Sequence, residues 1–326
     1  MRTLDALRAQ FGQVKLAVAE FRQVRRLAVL WGITRTTRLP QLPRHTGPRR
    51  EIWAVAMVRD EVDVIEHAIR HTLAQGIDHI LIADNGSTDG TIDLLQSLAL
   101  EDSRIHVARD TEPGYYQAEK MTYLSHVAWR AGAAWVLPFD ADEFFFARGR
   151  SIADFLRSTS ASTVYAAFHH MTPTEAGGLT STTEFLLDST PDAVGKVAVR
   201  AHPLLVLVKG NHDARRVGTA GHGLFLAHAI YRSPEQIARK VRQGRAAEEL
   251  VRIANPLRGD HWTAGAALDD AQVAQVWDNL VHGRSDDRLR FRRVGPLVSV
   301  TPLSWQTWDP DGSVDRARDN VIEGSP

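Results

Sequence analysis

Cysteine is missing from the 326-residue sequence, and its absence excludes several kinds of chemistry. The chain can form neither a disulfide framework nor a thiolate zinc site, and it has no cysteine nucleophile. A protein without disulfides fits a reducing compartment, so we expect this one in the cytoplasm.

An excess of either charge is also missing, because 39 Lys and Arg residues balance 39 Asp and Glu residues. Nucleic-acid-binding proteins usually carry a positive field, so no nucleic-acid partner is expected. Hydrophobic residues make up 44% of the chain and charged residues 24%, as in an ordinary globular protein. The composition therefore indicates a structural class and no function.

Long apolar runs are absent too, and no stretch reaches the roughly 20 residues that span a bilayer. Within residues 1–31, charged residues such as Arg8, Lys15 and Glu20 interrupt the apolar ones, unlike the core of a signal peptide. The apolar residues of this segment recur near helical spacing beside basic ones. Such a helix could make a peripheral contact with an anionic membrane at its inner face, or pack on its own domain or on a second subunit.

Three regions follow one another along the chain. Proline, glycine and basic residues concentrate in residues 34–50, which predicts an extended linker. We therefore expect an N-terminal amphipathic helix and Pro/Arg-rich linker over 1–50 and a main domain over 51–250. A mostly helical C-terminal extension is expected over 251–326.

The main domain opens with short apolar runs that alternate with helical patterns. Strands are predicted at 52–58, 79–83, 105–108 and 134–139, with helices between them. This alternation predicts an α/β fold with a mostly parallel sheet and helices on both faces. Ligands of such sheets bind beyond the carboxyl ends of the strands, where charged residues follow the apolar runs here.

The second half has a less regular pattern. Further strands are predicted at 164–168 and 196–200, and helices at 234–250 and 268–281. Between them, residues 169–184 are polar and contain the pair Gly177-Gly178, which predicts a mobile loop.

The segment ADNGSTDGT, residues 83–91, lies at the turn from the second strand into a helix. Asp84 ends the strand, Gly86 permits a tight backbone turn, and Thr88 or Asp89 can cap the helix. These residues could form a ligand site or only a well-made strand-to-helix turn.

The segment WVLPFDADEFF, residues 135–145, takes a buried strand directly into three carboxylates. In an extended segment, Asp140 and Asp142 would face one side and Glu143 the other. A pair of carboxylates together with substrate phosphates is a common way to hold Mg²⁺ or Mn²⁺. The alternative is acidic capping of a helix that begins near Phe144, which requires only one acid.

With AVAMVRDEVDVIEHAI before them, these two motifs resemble glycosyltransferase family 2, whose members have the GT-A fold. The resemblance covers residues 53–146. The segment LAHAIYRSPEQIARKVRQG, residues 226–244, more loosely resembles the distal part of one bacterial branch of that family. The resemblance implies a Rossmann-like GT-A domain with terminal helices, and an enzyme that uses a nucleotide-sugar donor.

The resemblance also implies roles for individual residues. Asp140 and Asp142 would bind Mn²⁺ or Mg²⁺ and the diphosphate, with His228 completing the metal shell and His212 as an alternative metal or acceptor ligand. A lone histidine in an apolar run is also often a hydrogen-bonded core residue. The nucleotide-sugar would be bound by Val58, Arg59, Glu61, Asp84, Asn85, Lys120, Asp140 and Ala141. Lys120 has an alternative interpretation as an exposed helix lysine.

Transfer with inversion, the usual outcome in this family, needs one general base near the acceptor hydroxyl. Asp213 and Glu143 are the candidates. The expected reaction moves a sugar from a nucleoside diphosphate, UDP or GDP, to a hydroxyl of a glycan or lipid-linked acceptor. Two alternatives stay open: a catalytically silent module of the same fold that binds a nucleotide or glycan, and a metal-dependent phosphoesterase.

Overall fold

The computed structural model describes residues 2–21, 24–208, 210–254, 265, 267–289 and 293–323. The chain forms two compact units. Unit 1 comprises residues 1–112, 116–167 and 194–226, and unit 2 comprises residues 113–115, 168–193 and 227–326. This division does not follow the expected bounds of 50 and 250, since unit 1 includes the N-terminal segment and unit 2 takes two pieces from the middle of the chain.

Helices and strands alternate along the first half of the described chain, and strands dominate the stretch that follows. The helices are α1 (Arg2–Phe21), α2 (Val24–Thr36), α3 (Ile65–Ala74), α4 (Thr91–Glu101), α5 (Gln117–Ala131), α6 (Ile152–Ser158), α7 (Pro234–Ala254), α8 (Asp270–Val281) and α9 (Ser313–Glu323). The strands are β1 (Thr37–Arg38), β2 (Glu51–Val58), β3 (His79–Asp84), β4 (Ile105–Asp110), β5 (Ala133–Pro138), β6 (Glu143–Ala147), β7 (Thr163–Pro173), β8 (Phe185–Asp188), β9 (Asp192–Arg200), β10 (Val206–Val208), β11 (Asp213–Arg215), β12 (Ala220–His228) and β13 (Leu297–Val300).

A parallel sheet forms the centre of unit 1. Its strands β4, β3, β2 and β5 are neighbours in that order, and all three pairings between them are parallel. Strands β2 and β3 are almost wholly apolar and buried, because helices cover a parallel sheet on both faces. The predicted α/β class, its parallel strands and the helices between them are confirmed.

Beyond β5 the sheet continues through β9, which pairs antiparallel to it with Val136 opposite Val199. At the other edge, β1 pairs antiparallel with β4 through Thr37 and Arg38. The expected linker over 34–50 therefore begins with the end of α2 and an added edge strand.

In the middle of the chain, the alternative of a helix near Phe144 and the expected start of the polar loop are both wrong. The segment after Asp142 is strand β6 and not a helix, because its three consecutive phenylalanines are fully buried in the sheet. Strand β7 extends through Pro173, so the polar loop begins at Thr174 and not at residue 169.

Unit 2 contains the antiparallel pairs of β8 with β13 and of β8 with the last residues of β7. An apolar cluster joins α7 and α8 through Ile237, Val241, Val273 and Val276. Helix α8 begins with a capping box in which Asp269 and Gln272 bond each other's backbone. Among the described residues, no helix has the length and apolar character needed to cross a membrane.

Candidate functional site

Three parallel strands of unit 1 end side by side at one edge of the sheet. Val58, the last residue of β2, lies opposite Asp84, the last residue of β3. On the other side of β2, the backbone N–H of Phe139 donates to Val55 O at 3.0 Å, so β5 ends at the same edge of the sheet. The topology therefore brings the two predicted motifs to the two sides of β2, as expected for a sheet of this kind.

Asp84 is buried, with 5% of its surface exposed. Its Oδ2 accepts hydrogen bonds from the backbone N–H groups of Gly86 at 3.1 Å and Ser87 at 3.2 Å. Its Oδ1 is also buried and has no hydrogen-bond partner in the described part of the chain. A buried acceptor without a partner costs free energy, so it indicates a place where a ligand can donate.

The loop after β2 is tied to the loop after β3 through Asp60. Asp60 Oδ1 accepts from the N–H groups of Thr88 at 2.6 Å and Asp89 at 3.2 Å. Asp60 itself has a φ of 54°, an uncommon value outside glycine. The predicted binding residues adjoin it: Val58 is buried, and Arg59 is 40% exposed in its side chain. Glu61 N–H donates to Thr91 Oγ1 at 3.0 Å.

Asn85 and Lys120 belong to a buried polar cluster beneath this edge. Asn85 Nδ2 donates to Asp110 Oδ2 at 2.9 Å and to Glu112 O at 2.7 Å. Lys120 Nζ lies 2.7 Å from Asp110 Oδ2 and donates to Glu112 O at 2.6 Å. The Lys120 side chain is 3% exposed, so it is not an exposed helix lysine. Both side chains hold the end of β4 in place, and a direct role in nucleotide binding stays a prediction.

The residues after β5 form a tight turn. Glu143 N–H donates to Asp140 O at 3.1 Å, and Asp140 N–H donates to Glu143 Oε2 at 3.0 Å. The expectation that Glu143 faces away from Asp140 is therefore wrong, because the segment turns at Ala141 and is not extended there. Ala141 and Asp142 are both buried, with 4% and 2% of their surface exposed.

Lys196 of β9 lies between two of these acidic side chains. Its Nζ is 2.7 Å from Asp140 Oδ2 and 2.8 Å from Glu143 Oε1, and its side chain is 3% exposed. Asp140 Oδ1 also accepts hydrogen bonds from Gln117 Nε2 at 2.9 Å and Asn211 Nδ2 at 3.0 Å. Lys196, Gln117 and Asn211 were not predicted as site residues, since each lies in an ordinary strand, helix or loop pattern.

The charges of this group depend on one another. Burial opposes ionisation of Asp140, but the Lys196 ammonium outweighs it and the pKa of Asp140 is lowered. Burial raises the pKa of Glu143 to about 8, with Lys196 acting against it and Asp140 and Asp142 adding to it. Burial alone would lower the pKa of Lys196, but Asp140 and Glu143 raise it. Lys196 therefore stays charged and balances Asp140, while burial favours the protonated form of Glu143.

The carboxylates of Asp140 and Asp142 are the oxygen ligands that Mg²⁺ and Mn²⁺ prefer. In the described part of the chain, however, no three or more His, Asp or Glu side chains are arranged to hold a metal ion. Asp140 has its charge balanced by Lys196. The donor chemistry fits a divalent ion, but no ready-made cluster of three ligands accompanies it.

Two other candidates, His212 and Asp213, also belong to unit 1. His212 is close enough to act on the charge of Asp140, and its Nδ1 is 2.9 Å from Gly195 O. Asp213 Oδ1 accepts from Tyr165 Oη at 2.8 Å, and its Oδ2 lies 3.0 Å from a guanidinium nitrogen of Arg215. The side chain of Asp213 is 24% exposed, whereas that of Glu143 is 0% exposed.

His228 ends β12 and belongs to unit 2, where it is 8% exposed. Its Nδ1 lies 3.2 Å from His170 Nδ1, and His170 Nε2 lies 3.3 Å from Asp192 Oδ2. The structure thus shows a carboxylate and two imidazoles in one chain of contacts. A role of His228 as a metal ligand stays a prediction.

Residues 54–169 match the family model of glycosyl transferase family 2. No curated protein sequence matches the chain. A mannosyltransferase, PcManGT, from Pyrobaculum calidifontis in complex with GDP-Man and Mn²⁺ is 12% identical, with 86% of this chain and 89% of that chain covered and a TM-score of 0.37. TarS 1–349 from S. aureus in complex with UDP is 14% identical, with 71% and 70% covered and a TM-score of 0.34. The match to the family model begins within β2, includes both motifs and ends within β7.

Proposed function

We propose that this chain is a glycosyltransferase, since residues 54–169 match the family model of glycosyl transferase family 2, and that its donor is a nucleoside diphosphate sugar of UDP or GDP. The observation that supports this donor is the buried Oδ1 of Asp84, which has no partner among the described residues and lies at the same sheet edge as the acidic turn at Asp140 to Glu143. The two features lie at the carboxyl edge of the parallel strands, on either side of β2. This is where open α/β sheets bind nucleotides.

Asp84 is proposed to hold the base of the nucleotide. A carboxylate oxygen accepts hydrogen bonds, so its ligand must present an N–H. Uracil and guanine each present a ring N–H, which agrees with UDP or GDP. Because Gly86 and Ser87 already hold Oδ2, the second oxygen is fixed in position before the ligand arrives.

The diphosphate and the metal ion are proposed to bind at Asp140 and Asp142. When Mn²⁺ or Mg²⁺ is bound, it stabilises the negative charge that develops on the departing nucleoside diphosphate. Gln117 and Asn211 fix the carboxylate of Asp140 from two directions, so its orientation does not depend on a ligand.

The acceptor is proposed to be a hydroxyl of a glycan or of a lipid-linked molecule, and transfer is proposed to invert the anomeric carbon. Asp213 is our candidate for the general base, because Glu143 has a fully buried side chain engaged by Lys196. Asp213 is partly exposed and is held by Tyr165 and Arg215. A base needs such a fixed orientation and access to the hydroxyl.

A thermal-shift panel tests the donor. UDP, GDP and their sugars are each added with Mn²⁺, Mg²⁺ or EDTA, since a ligand that binds only the folded state raises the melting temperature. We expect a metal-dependent rise with one of the two nucleotides. If neither nucleotide raises the melting temperature under any condition, the donor proposal fails and the catalytically silent module becomes the better explanation.

The metal assignment is tested with Asp142→Asn, which removes a ligand charge and keeps the side-chain shape. We expect metal-dependent nucleotide binding to be lost while the melting temperature without ligand stays close to that of the parent. Asp93→Asn is the matched control, because Asp93 is an exposed acid in the first turn of α4. A variant at Asp142 that binds nucleotide and Mn²⁺ like the parent would contradict the assignment.

A further inference from the structure

Lys196 is placed beside the acidic turn by the sheet and not by a flexible segment. Strand β9 pairs antiparallel with β5, with Trp135 opposite Arg200 and Val136 opposite Val199. Extending this register brings Lys196 level with Phe139, the residue before Asp140. The ammonium group therefore has a fixed position at the end of β5.

The contacts of Lys196 are those of a built-in counter-ion. Its side chain is 3% exposed, and its Nζ contacts Asp140 Oδ2 at 2.7 Å and Glu143 Oε1 at 2.8 Å. A buried lysine is costly unless an anion pairs with it, and here the Asp140 carboxylate does so, with Glu143 as a second contact. The same ammonium also relieves the repulsion between neighbouring buried carboxylates, which is the task otherwise given to a metal ion.

An ammonium and a divalent ion at the same carboxylate repel each other. Asp140 already accepts from Gln117 and Asn211 on Oδ1 and from Lys196 on Oδ2. A metal ion that binds Asp140 must share it with Lys196 or displace Lys196 towards Glu143. Either event weakens metal binding as long as no further negative charge is present.

We propose that Lys196 is a resident counter-cation that competes with the divalent metal for Asp140, so that the metal binds tightly only together with the diphosphate of the donor. This inference rests on the proposed metal site at Asp140 and Asp142. The diphosphate brings the negative charge that compensates for the second cation. Lys196 thereby couples metal binding to donor binding, and the metal ion alone is held weakly.

The test is the affinity for Mn²⁺, measured by electron paramagnetic resonance without nucleotide, then with UDP and with GDP. In Lys196→Met, which keeps the length of the stem and removes the charge, we expect Mn²⁺ alone to bind about tenfold tighter or more. With the nucleotide that binds, the difference from the parent should shrink. Lys196→Arg keeps the charge and should bind Mn²⁺ alone as weakly as the parent.

Arg70→Met is the matched control, because it removes one positive charge from an exposed side chain of unit 1 on α3. It should leave the Mn²⁺ affinity of the parent unchanged. If Lys196→Met binds Mn²⁺ no tighter than the parent, the competition is refuted, while the metal site itself stands as long as Asp142→Asn abolishes binding. If neither parent nor variant binds Mn²⁺ with or without nucleotide, the proposed metal site fails, and the inference fails with it.

A second measurement uses the unaltered protein, in case Lys196→Met does not fold. The Nζ resonance of Lys196, assigned by comparison with Lys196→Arg, is followed by nuclear magnetic resonance as Mg²⁺ and nucleotide are added. We expect this resonance to move when both are present, because Asp140 is then shared with the metal ion. A resonance that stays in place at saturating Mg²⁺ and nucleotide would overturn the proposal.

Discussion

Asp84 shows how one side chain can be both structural and ready for a ligand. Its Oδ2 is held by the N–H groups of Gly86 and Ser87, and its buried Oδ1 has no partner in the described chain. In Asp84→Asn, the amide oxygen can take over the two backbone hydrogen bonds, and the NH₂ group then replaces Oδ1. We expect the affinity for UDP or GDP to fall about tenfold or more, because a donor now faces the N–H of the base. Isothermal titration calorimetry measures the change.

Asp78→Asn is a suitable control for this substitution. Asp78 also accepts a backbone hydrogen bond, from Ile52 N–H at 2.8 Å, but it lies immediately before β3 and not at its carboxyl end. The control should therefore bind nucleotide like the parent. Equal affinities of Asp84→Asn and the parent would show that Asp84 does not touch the base.

The site residues that could be predicted from the sequence are those whose pattern lies within a short stretch of the chain. Asp84 and Asp140 follow apolar runs, and a strand that ends in an acid is visible within ten residues. Lys196 and Asn211 could not be found in this way, because they bond Asp140 across 56 and 71 residues of chain. The pairing of β5 with β9 brings Lys196 to the turn at Asp140 to Glu143, and no pattern in a single sequence predicts the register of that pairing.

Among the elements, helix α1 is held within unit 1 partly by the buried side chain of Gln13. Gln13 is 0% exposed, and its Nε2 donates to Leu204 O at 2.8 Å and Arg215 O at 2.9 Å. Its Oε1 accepts from Val217 N–H at 2.8 Å. Gln13→Ala leaves these buried backbone groups without that partner, so we expect the free energy of unfolding to fall by at least about 2 kcal/mol. Urea denaturation of the whole chain measures it.

The same helix offers a matched control. Gln10 is exposed, so Gln10→Ala should change the free energy of unfolding by less than about 0.5 kcal/mol. Limited proteolysis should also cleave near α1 faster in Gln13→Ala than in the control. If both variants unfold at the same urea concentration as the parent, α1 does not depend on Gln13 for its attachment.

Helices and strands with a clear apolar spacing were predicted from the sequence. Strands that depend on pairing with residues distant in the sequence were not. Helices α4 and α8 follow the apolar spacing closely, because each packs one face on its unit. Strand β6 was not foreseen, since EFFFA has no alternation and its burial on both faces is a property of the assembled sheet. Strand β7 runs on through a polar stretch because β8 pairs with its last residues, an interaction that the composition of HHMTP does not indicate.

At the scale of the whole molecule, buried and half-buried histidines predict sensitivity to acid. Burial lowers the pKa of His106 and His202 in unit 1 and of His169 in unit 2, in each case to about 4. Between pH 6.5 and 4, an unfolded chain binds protons at these positions that the folded chain does not bind. The free energy of unfolding should therefore fall as the pH drops through this window, and these histidines should cause no further change above pH 6.5.

His169 allows this prediction to be tested at one position. It is 2% exposed, its Nδ1–H donates to Asp188 O at 2.9 Å, and its ring lies 4.7 Å from that of Trp308. A shift of its pKa from 6.5 to about 4 corresponds to roughly 3 kcal/mol of stability lost on going from pH 7 to pH 4.

The substitution His169→Asn keeps a donor near the position of Nδ1 and does not titrate. At pH 7 the free energy of unfolding of the variant should be lower than that of the parent, because the ring contact is lost. As the pH falls, the free energy of unfolding of the variant should decline less steeply than that of the parent. Urea unfolding at half-unit pH intervals from 7 to 4 gives the two slopes, and parallel slopes would mean that His169 does not contribute to the loss of stability in acid.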